Sequence, residues 1–290
     1  MNSSVIAHPG HDVRQEIAER ASFISQLKTR DLSHYSAKLK ARDLEQAAVA
    51  RRSAIAEREK EERDQLCPEV TQGSYYVSGE YVQADIVEEH EGVDLILDTQ
   101  VIDMSTCDPV TNTFVEIKHC NSTGVYSGIV ASTNGNDVDT ANINATFLRG
   151  IQPTDSEGVA HFQTLFPGHY TSRFNHIHVL VHFNGTTYAN GTYGGGVISH
   201  VGQMFFDQDL ITQVEDVSPY STNTQSTTLN SADSVLGDEA PSSDPIINYS
   251  LLGKTVADGI FGWLAFGVDV SKSYSVKPAA SLYSSGGVEN

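Results

Sequence analysis

The chain has 290 residues, enough to bury a substantial core as one large or two small domains, and a formal net charge of −19. The charge is uneven: residues 1–66 hold 12 basic and 11 acidic residues, while the remainder holds 6 and 26. A surface that acidic repels nucleic acid and anionic membrane, so neither is expected as a partner, and no apolar run is long enough to span a bilayer.

Residues 12–65 read as helix. Val13, Ile17, Ala21, Ile24 and Leu27 recur at helical spacing before Thr29-Arg30-Asp31 interrupts the pattern. A second helix from about Leu32 carries Leu39, Leu44, Ala48 and Ile55 and ends in the charged run 57–64. The apolar stripe is thin, so this arm (1–66) is expected to pack on its own domain or on a second copy of the chain in a homodimer. From Cys67 to the end, segments rich in Val, Ile, Phe, Thr and Tyr alternate with Gly/Asn/Asp/Ser turns. The predicted strands are 94–104, 113–119, 159–165, 176–183, 200–206 and 261–268. The fold class expected is therefore mainly β, an antiparallel β-sandwich over 67–290 with an N-terminal α-helical arm. Residues 215–245 are polar and aperiodic and read as a surface excursion.

Asn-X-Ser/Thr acceptors occur at Asn2, Asn121, Asn144, Asn184, Asn190 and Asn248. No signal-peptide h-region opens the chain, so the reading is an extracellular glycoprotein whose leader has been removed. The three cysteines, Cys67, Cys107 and Cys120, allow at most one internal bridge. Cys107 and Cys120 flank a predicted strand and are the favoured pair.

Chemistry concentrates around His176-Ile177-His178. In a strand, residues i and i+2 share a face, so both imidazoles can converge on one point. By itself His-X-His is a weak signal, more often two half-buried structural histidines than a metal pair. Phe166-Pro167-Gly168-His169-Tyr170 delivers a tyrosine six residues earlier. Arg173 lies between, one of few cations in an acidic domain. Tyr126 sits in a Gly-punctuated loop after a strand, where side chains face clefts.

With these strings in place the chain resembles the intradiol ring-cleavage dioxygenases, particularly their secreted, fungal-type branch. The matching segments run in order: Tyr75-Tyr76-Val77-Ser78-Gly79-Glu80, Thr106-Cys107-Asp108-Pro109, and 119–128 with Tyr126. They continue through Phe147-Leu148-Arg149-Gly150, 166–170, Arg173 with His176-Ile177-His178, and His200-Val201-Gly202-Gln203. The resemblance implies a non-haem iron(III) cofactor held by Tyr126, Tyr170, His176 and His178. Iron(III) is a hard cation that favours anionic oxygen, and it lowers the pKa of a bound phenol. The substrates implied are a catechol-type aromatic and O2, with a cis,cis-muconate-type diacid as product. Tyr170 matches the ligand that leaves on substrate binding and takes a hydroxyl proton. Arg173 matches the arginine that stabilises charge on the activated ring, and Gln203 a residue lining the O2 and substrate pocket. Glu80 and Arg149 are expected to fix loops, His182 to be structural, and His119, His169 and His200 to support the site from outside it.

One departure stands out. At Lys118 members of the family usually carry Trp; the lysine could favour carboxylated catechols or point to solvent. Two other functional classes fit parts of the pattern: an acidic β-sandwich binding module without catalysis, and a zinc hydrolase. The hydrolase lacks the carboxylate or third histidine that such sites use. The module has no need for two tyrosines beside the histidine pair.

Overall fold

The second strand of the domain shows why this chain layers into two sheets. Along Asp94–Asp103, Leu95, Leu97 and Val101 point into the hydrophobic core, while Asp98 and Gln100 occupy the opposite face. In the computed structural model, residues 75–290 are described, apart from 132–133, 136–137, 240–243 and 284. The predicted helical arm, its contact with a second copy, and Cys67 lie outside the described residues.

In chain order the strands are β1 (Val77–Ser78), β2 (Asp94–Asp103), β3 (Phe114–Lys118), β4 (Arg149–Pro153), β5 (Val159–Leu165) and β6 (His176–Phe183). They continue as β7 (Thr186–Thr187), β8 (Tyr193–Gly194), β9 (Val197–Phe205), β10 (Asn248–Leu251), β11 (Ile260–Val268), β12 (Ala280–Tyr283) and β13 (Gly286–Glu289). Two four-stranded sheets, ordered β10-β11-β2-β5 and β4-β3-β6-β9, form the body of the domain. A three-stranded sheet, β1-β12-β13, and the β7-β8 hairpin flank them.

A single core unites the two large sheets. Leu95, Leu97 and Phe162 from one meet Val115, Ile117, Ile177, Val179 and Val181 from the other, all essentially inaccessible to water. Each fully buried side chain of this size contributes ~1.5–3 kcal/mol, which makes this layer the main stabilising feature of the sandwich. Most ladders are antiparallel, as expected, but β2 and β11 run parallel from Leu95↔Ile260 to Asp103↔Val268.

The predicted strands match β2, β3, β5, β6, β9 and β11 to within a few residues. The described residues of 215–245 run mostly over the surface, as expected, but the segment is anchored: helix α1 (Gln208–Glu215) runs into it, Tyr220 is buried, and its hydroxyl donates to the Phe166 carbonyl at 2.6 Å. Polar residues there are spent on hydrogen bonds to neighbouring loops, so the segment shows no apolar period. One expectation is corrected: Cys107 and Cys120 are not bridged. Both are free thiols, and Cys120 is buried with its Sγ directed at the Gly168 carbonyl, 3.2 Å away.

Candidate metal centre

The outer face of the β4-β3-β6-β9 sheet carries the site. Because β6 alternates, Ile177, Val179 and Val181 enter the core while His176 and His178 point outward together. The cross-strand partner of His178 is Lys118 on β3 and Gln203 on β9, so one row of the sheet presents Arg149, Lys118, His178 and Gln203.

Two loops bring tyrosines over this row. Tyr126 follows β3, and its backbone is clamped by two buried amides. Asn134 accepts from the Tyr126 N–H at 2.8 Å, and Asn134 and Asn142 both donate to the Tyr126 carbonyl, at 2.7 and 2.8 Å. Arg149 reinforces the loop, donating to the Ser127 carbonyl and hydroxyl at 3.0 Å and pairing with buried Glu80 at 3.1 Å. Tyr170 lies midway along the β5–β6 connection. That connection lies against the Tyr126 loop so closely that a Cβ on Gly168 would sit 2.4 Å from the Asn121 carbonyl oxygen. Next to Tyr170, His169 is held by Glu215 at 2.9 Å and by the Gln225 carbonyl at 3.0 Å.

The result is a convergence of four donor atoms. His176 Nε2 lies 3.4 Å from the Tyr126 hydroxyl, 3.3 Å from the Tyr170 hydroxyl and 3.2 Å from His178 Nε2. On the far side of the ring, His176 Nδ1 faces the Phe174 carbonyl at 2.5 Å. That contact fixes the proton on Nδ1 and aims the Nε2 lone pair into the cluster, as a metal-binding imidazole requires. Burial, followed by the charge of Arg173, lowers His176 to about 3, and burial with the neighbouring His176 holds His178 well below the usual histidine range. Both imidazoles are therefore neutral, the form that can bind a metal. Burial raises both phenols, Tyr126 further through Tyr170, so neither ionises without a cation beside it.

This donor set fits a hard, trivalent metal ion. Among the described residues, no group of three or more His, Cys, Asp or Glu could hold a metal ion, so a centre here has to recruit the phenols. Two oxygens that become anionic on metal binding, with two neutral nitrogens, suit a ferric ion better than zinc.

Around the cluster, Arg173 is held from two sides. Its Nε donates to Asp233 at 2.7 Å and its Nη2 to Gln203 Oε1 at 2.5 Å. Lys118 does not point to solvent: it is fully buried, with Nζ 5.2 Å from the centre of the Tyr76 ring. Burial lowers it to about 8, against the opposing pull of Glu116. The other histidines stay out of the cluster. His119 bridges the Cys120 carbonyl and the Thr164 hydroxyl, His182 pairs with Glu116 at 2.7 Å, and His200 stacks on Phe266. Reading the sequence did not find Asp233, Asn134 or Asn142. Asp233 does carry a local signal as the cap of helix α2 (Ser234–Glu239), accepting from Val235 and Leu236, but nothing local points to Arg173.

A family model described as a dioxygenase matches residues 68–219, more than half of the chain. The chain belongs to the intradiol ring-cleavage dioxygenases. It is an aromatic ring-cleaving dioxygenase, an oxidoreductase, which sets aside the non-catalytic binding module. Among solved structures it is similar to an intradiol ring-cleavage dioxygenase from Tetranychus urticae. The two are 29% identical with a TM-score of 0.60, over 72% of this chain and 97% of that one. It is also similar to a second dioxygenase crystal structure, at 28% identity and a TM-score of 0.59, over 72% and 97% of the two chains. No curated protein matches the chain. Intradiol dioxygenases in general depend on non-haem iron(III) and cleave catechol-type rings.

Proposed function

We propose that Tyr126, Tyr170, His176 and His178 hold a non-haem iron(III) ion, and that this enzyme opens catechol-type rings between the two hydroxylated carbons. Both atoms of O2 enter the product, a cis,cis-muconate-type diacid. The observation that carries the reading is the convergence of two phenol oxygens and one imidazole nitrogen within 3.2–3.4 Å of His176 Nε2. When bound, ferric iron would supply the Lewis acidity that lets a catechol give up both hydroxyl protons, leaving the ring electron-rich enough to react with O2.

The protein's own groups divide the remaining work. Tyr126 is fully buried and its backbone is clamped by Asn134 and Asn142, which suits a permanent ligand. Tyr170 is partly exposed on a turn, so its phenolate can swing away and take a substrate hydroxyl proton. Arg173, with one edge on Asp233 and another on Gln203, presents fixed positive charge where negative charge builds on the ring. Gln203, beside His178 on β9, limits the pocket on that side.

The direct test is the visible spectrum of the purified protein before and after anaerobic addition of catechol. A broad tyrosinate-to-iron charge-transfer band that moves to longer wavelength supports both the centre and direct chelation. A protein that stays colourless after iron reconstitution overturns the assignment.

Export from the cell belongs to the same proposal. Of the Asn-X-Ser/Thr acceptors among the described residues, Asn144, Asn184 and Asn190 are solvent-exposed, as glycan addition requires. Glycosidase treatment of protein from its native host should increase its mobility on gels; unchanged mobility removes this support.

A further inference from the structure

Besides Arg173, a second guanidinium lies beside the cluster. Arg149 opens β4, in the same row of the sheet as His178, and is buried. Its Nε donates to the carbonyl and the hydroxyl of Ser127, both at 3.0 Å, and its Nη1 to Glu80 Oε1 at 3.1 Å. The third nitrogen, Nη2, is buried with no hydrogen-bond partner. Holding the loop accounts for two nitrogens of the three, and not for where the group is centred. Arg149 Cζ lies over the Tyr126 ring, 6.0 Å from its centre, which is the range of a cation–π contact.

The other groups packed on that ring are uncharged side chains. Tyr75 lies 5.2 Å from it, Tyr170 5.7 Å and the neutral His178 6.1 Å, centre to centre. Tyr126 has no accessible surface, so no water stands between the guanidinium and the ring, and charge acts across such a gap more strongly than at a surface. Ser127, which Arg149 holds, is the next residue in the chain, and its hydroxyl donates to the Phe147 carbonyl at 2.6 Å. One set of contacts therefore fixes both the Tyr126 backbone and the cation above its ring. A phenolate under a fixed cation holds its electrons more tightly and is a weaker donor than one without it.

We propose that Arg149 is a positioning residue that acts on the metal through Tyr126: its charge over the ring tempers electron donation by the phenolate and keeps the ferric ion a stronger Lewis acid. This inference rests on the ligand set proposed above. Its test is the visible spectrum of the iron-loaded full chain, without substrate. Arg149→Gln and Arg149→Met both remove the charge, so if one fails to hold iron the other carries the reading. Each should move the tyrosinate-to-iron band to longer wavelength, make the ferric ion harder to reduce, and lower kcat about tenfold. Arg149→Lys keeps the charge and should leave the band near its wild-type position. Glu80→Gln loosens the same clamp but leaves the guanidinium charged, and should not move the band to longer wavelength. A role confined to holding the loop would group the variants differently, with Arg149→Lys and Glu80→Gln behaving like the charge-free changes. That grouping, or a band that stays in place in the charge-free variants, overturns the inference and leaves the ligand set standing. A wild-type protein with no band after iron loading overturns the ligand set itself.

Discussion

At the scale of single residues, the two tyrosines differ in a way that kinetics can separate. Tyr126 has no exposure and a backbone held by two buried asparagines, so Tyr126→Phe should leave the fold intact. It should cost the charge-transfer band most of its intensity and reduce kcat at least about a hundredfold, measured after equal iron loading. Asp233→Asn tests the support of Arg173. Burial opposes the Asp233 charge, but the hydrogen bond and charge of Arg173 outweigh it and hold the carboxyl below its ordinary range. A depressed carboxyl pKa stabilises the fold above the unfolded value, near ~3.9, and that contribution is lost as pH falls through the folded value. Wild type should therefore melt several degrees above Asp233→Asn at pH 6, with the gap closing below about pH 4. Loss of kcat/KM by about tenfold at pH 7, with Gln203 still in place, would show that the pair also positions Arg173 for the reaction.

At the scale of elements, the site depends on two loops packed backbone to backbone. Gly168→Ala places a Cβ 2.4 Å from the Asn121 carbonyl and 2.7 Å from that of Ser122, so the loops must separate. The expected cost is ~1–3 kcal/mol of stability by chemical denaturation, together with weaker iron retention because Tyr170 moves away from Tyr126. The same loops mark how far the sequence could be read. Strand β6 was legible because Ile177, Val179 and Val181 alternate with His176 and His178, and period two alone puts both histidines on one face. The ordered match of the Tyr126, Tyr170 and Arg173 strings to a known family supplied the rest of the proposed ligand set. Segment 215–245 was not legible. Glu215, Asn223, Gln225 and Asp233 bond to residues more than 40 positions away in several cases, and such partners leave no periodic trace. The favoured Cys107–Cys120 bridge failed for a related reason. Sequence spacing says nothing about direction, and the Cys120 thiol is directed at the Gly168 carbonyl of the neighbouring turn.

At the scale of the whole molecule, the charge of −19 acts on substrate as well as on solubility. Raising ionic strength from 0.01 to 0.15 M shortens the screening length from ~30 to ~8 Å. KM for a carboxylated catechol should then fall, whereas KM for uncharged catechol should hold steady; parallel behaviour of both would show that the field does not reach the site. The parallel ladder between β2 and β11 has a further consequence, for synthesis. Strand β2 sits between β11 and β5 in its sheet, yet its β11 neighbour is translated only after the proposed metal ligands, both tyrosine loops and the 215–245 segment. Until Ile260–Val268 leaves the ribosome, one edge of β2 is unpaired and the nascent domain offers an open strand to other chains. Sequence separation this large also makes closure of the sheet a slow, entropically costly event. Folding of this enzyme therefore waits on a strand that carries none of its chemistry.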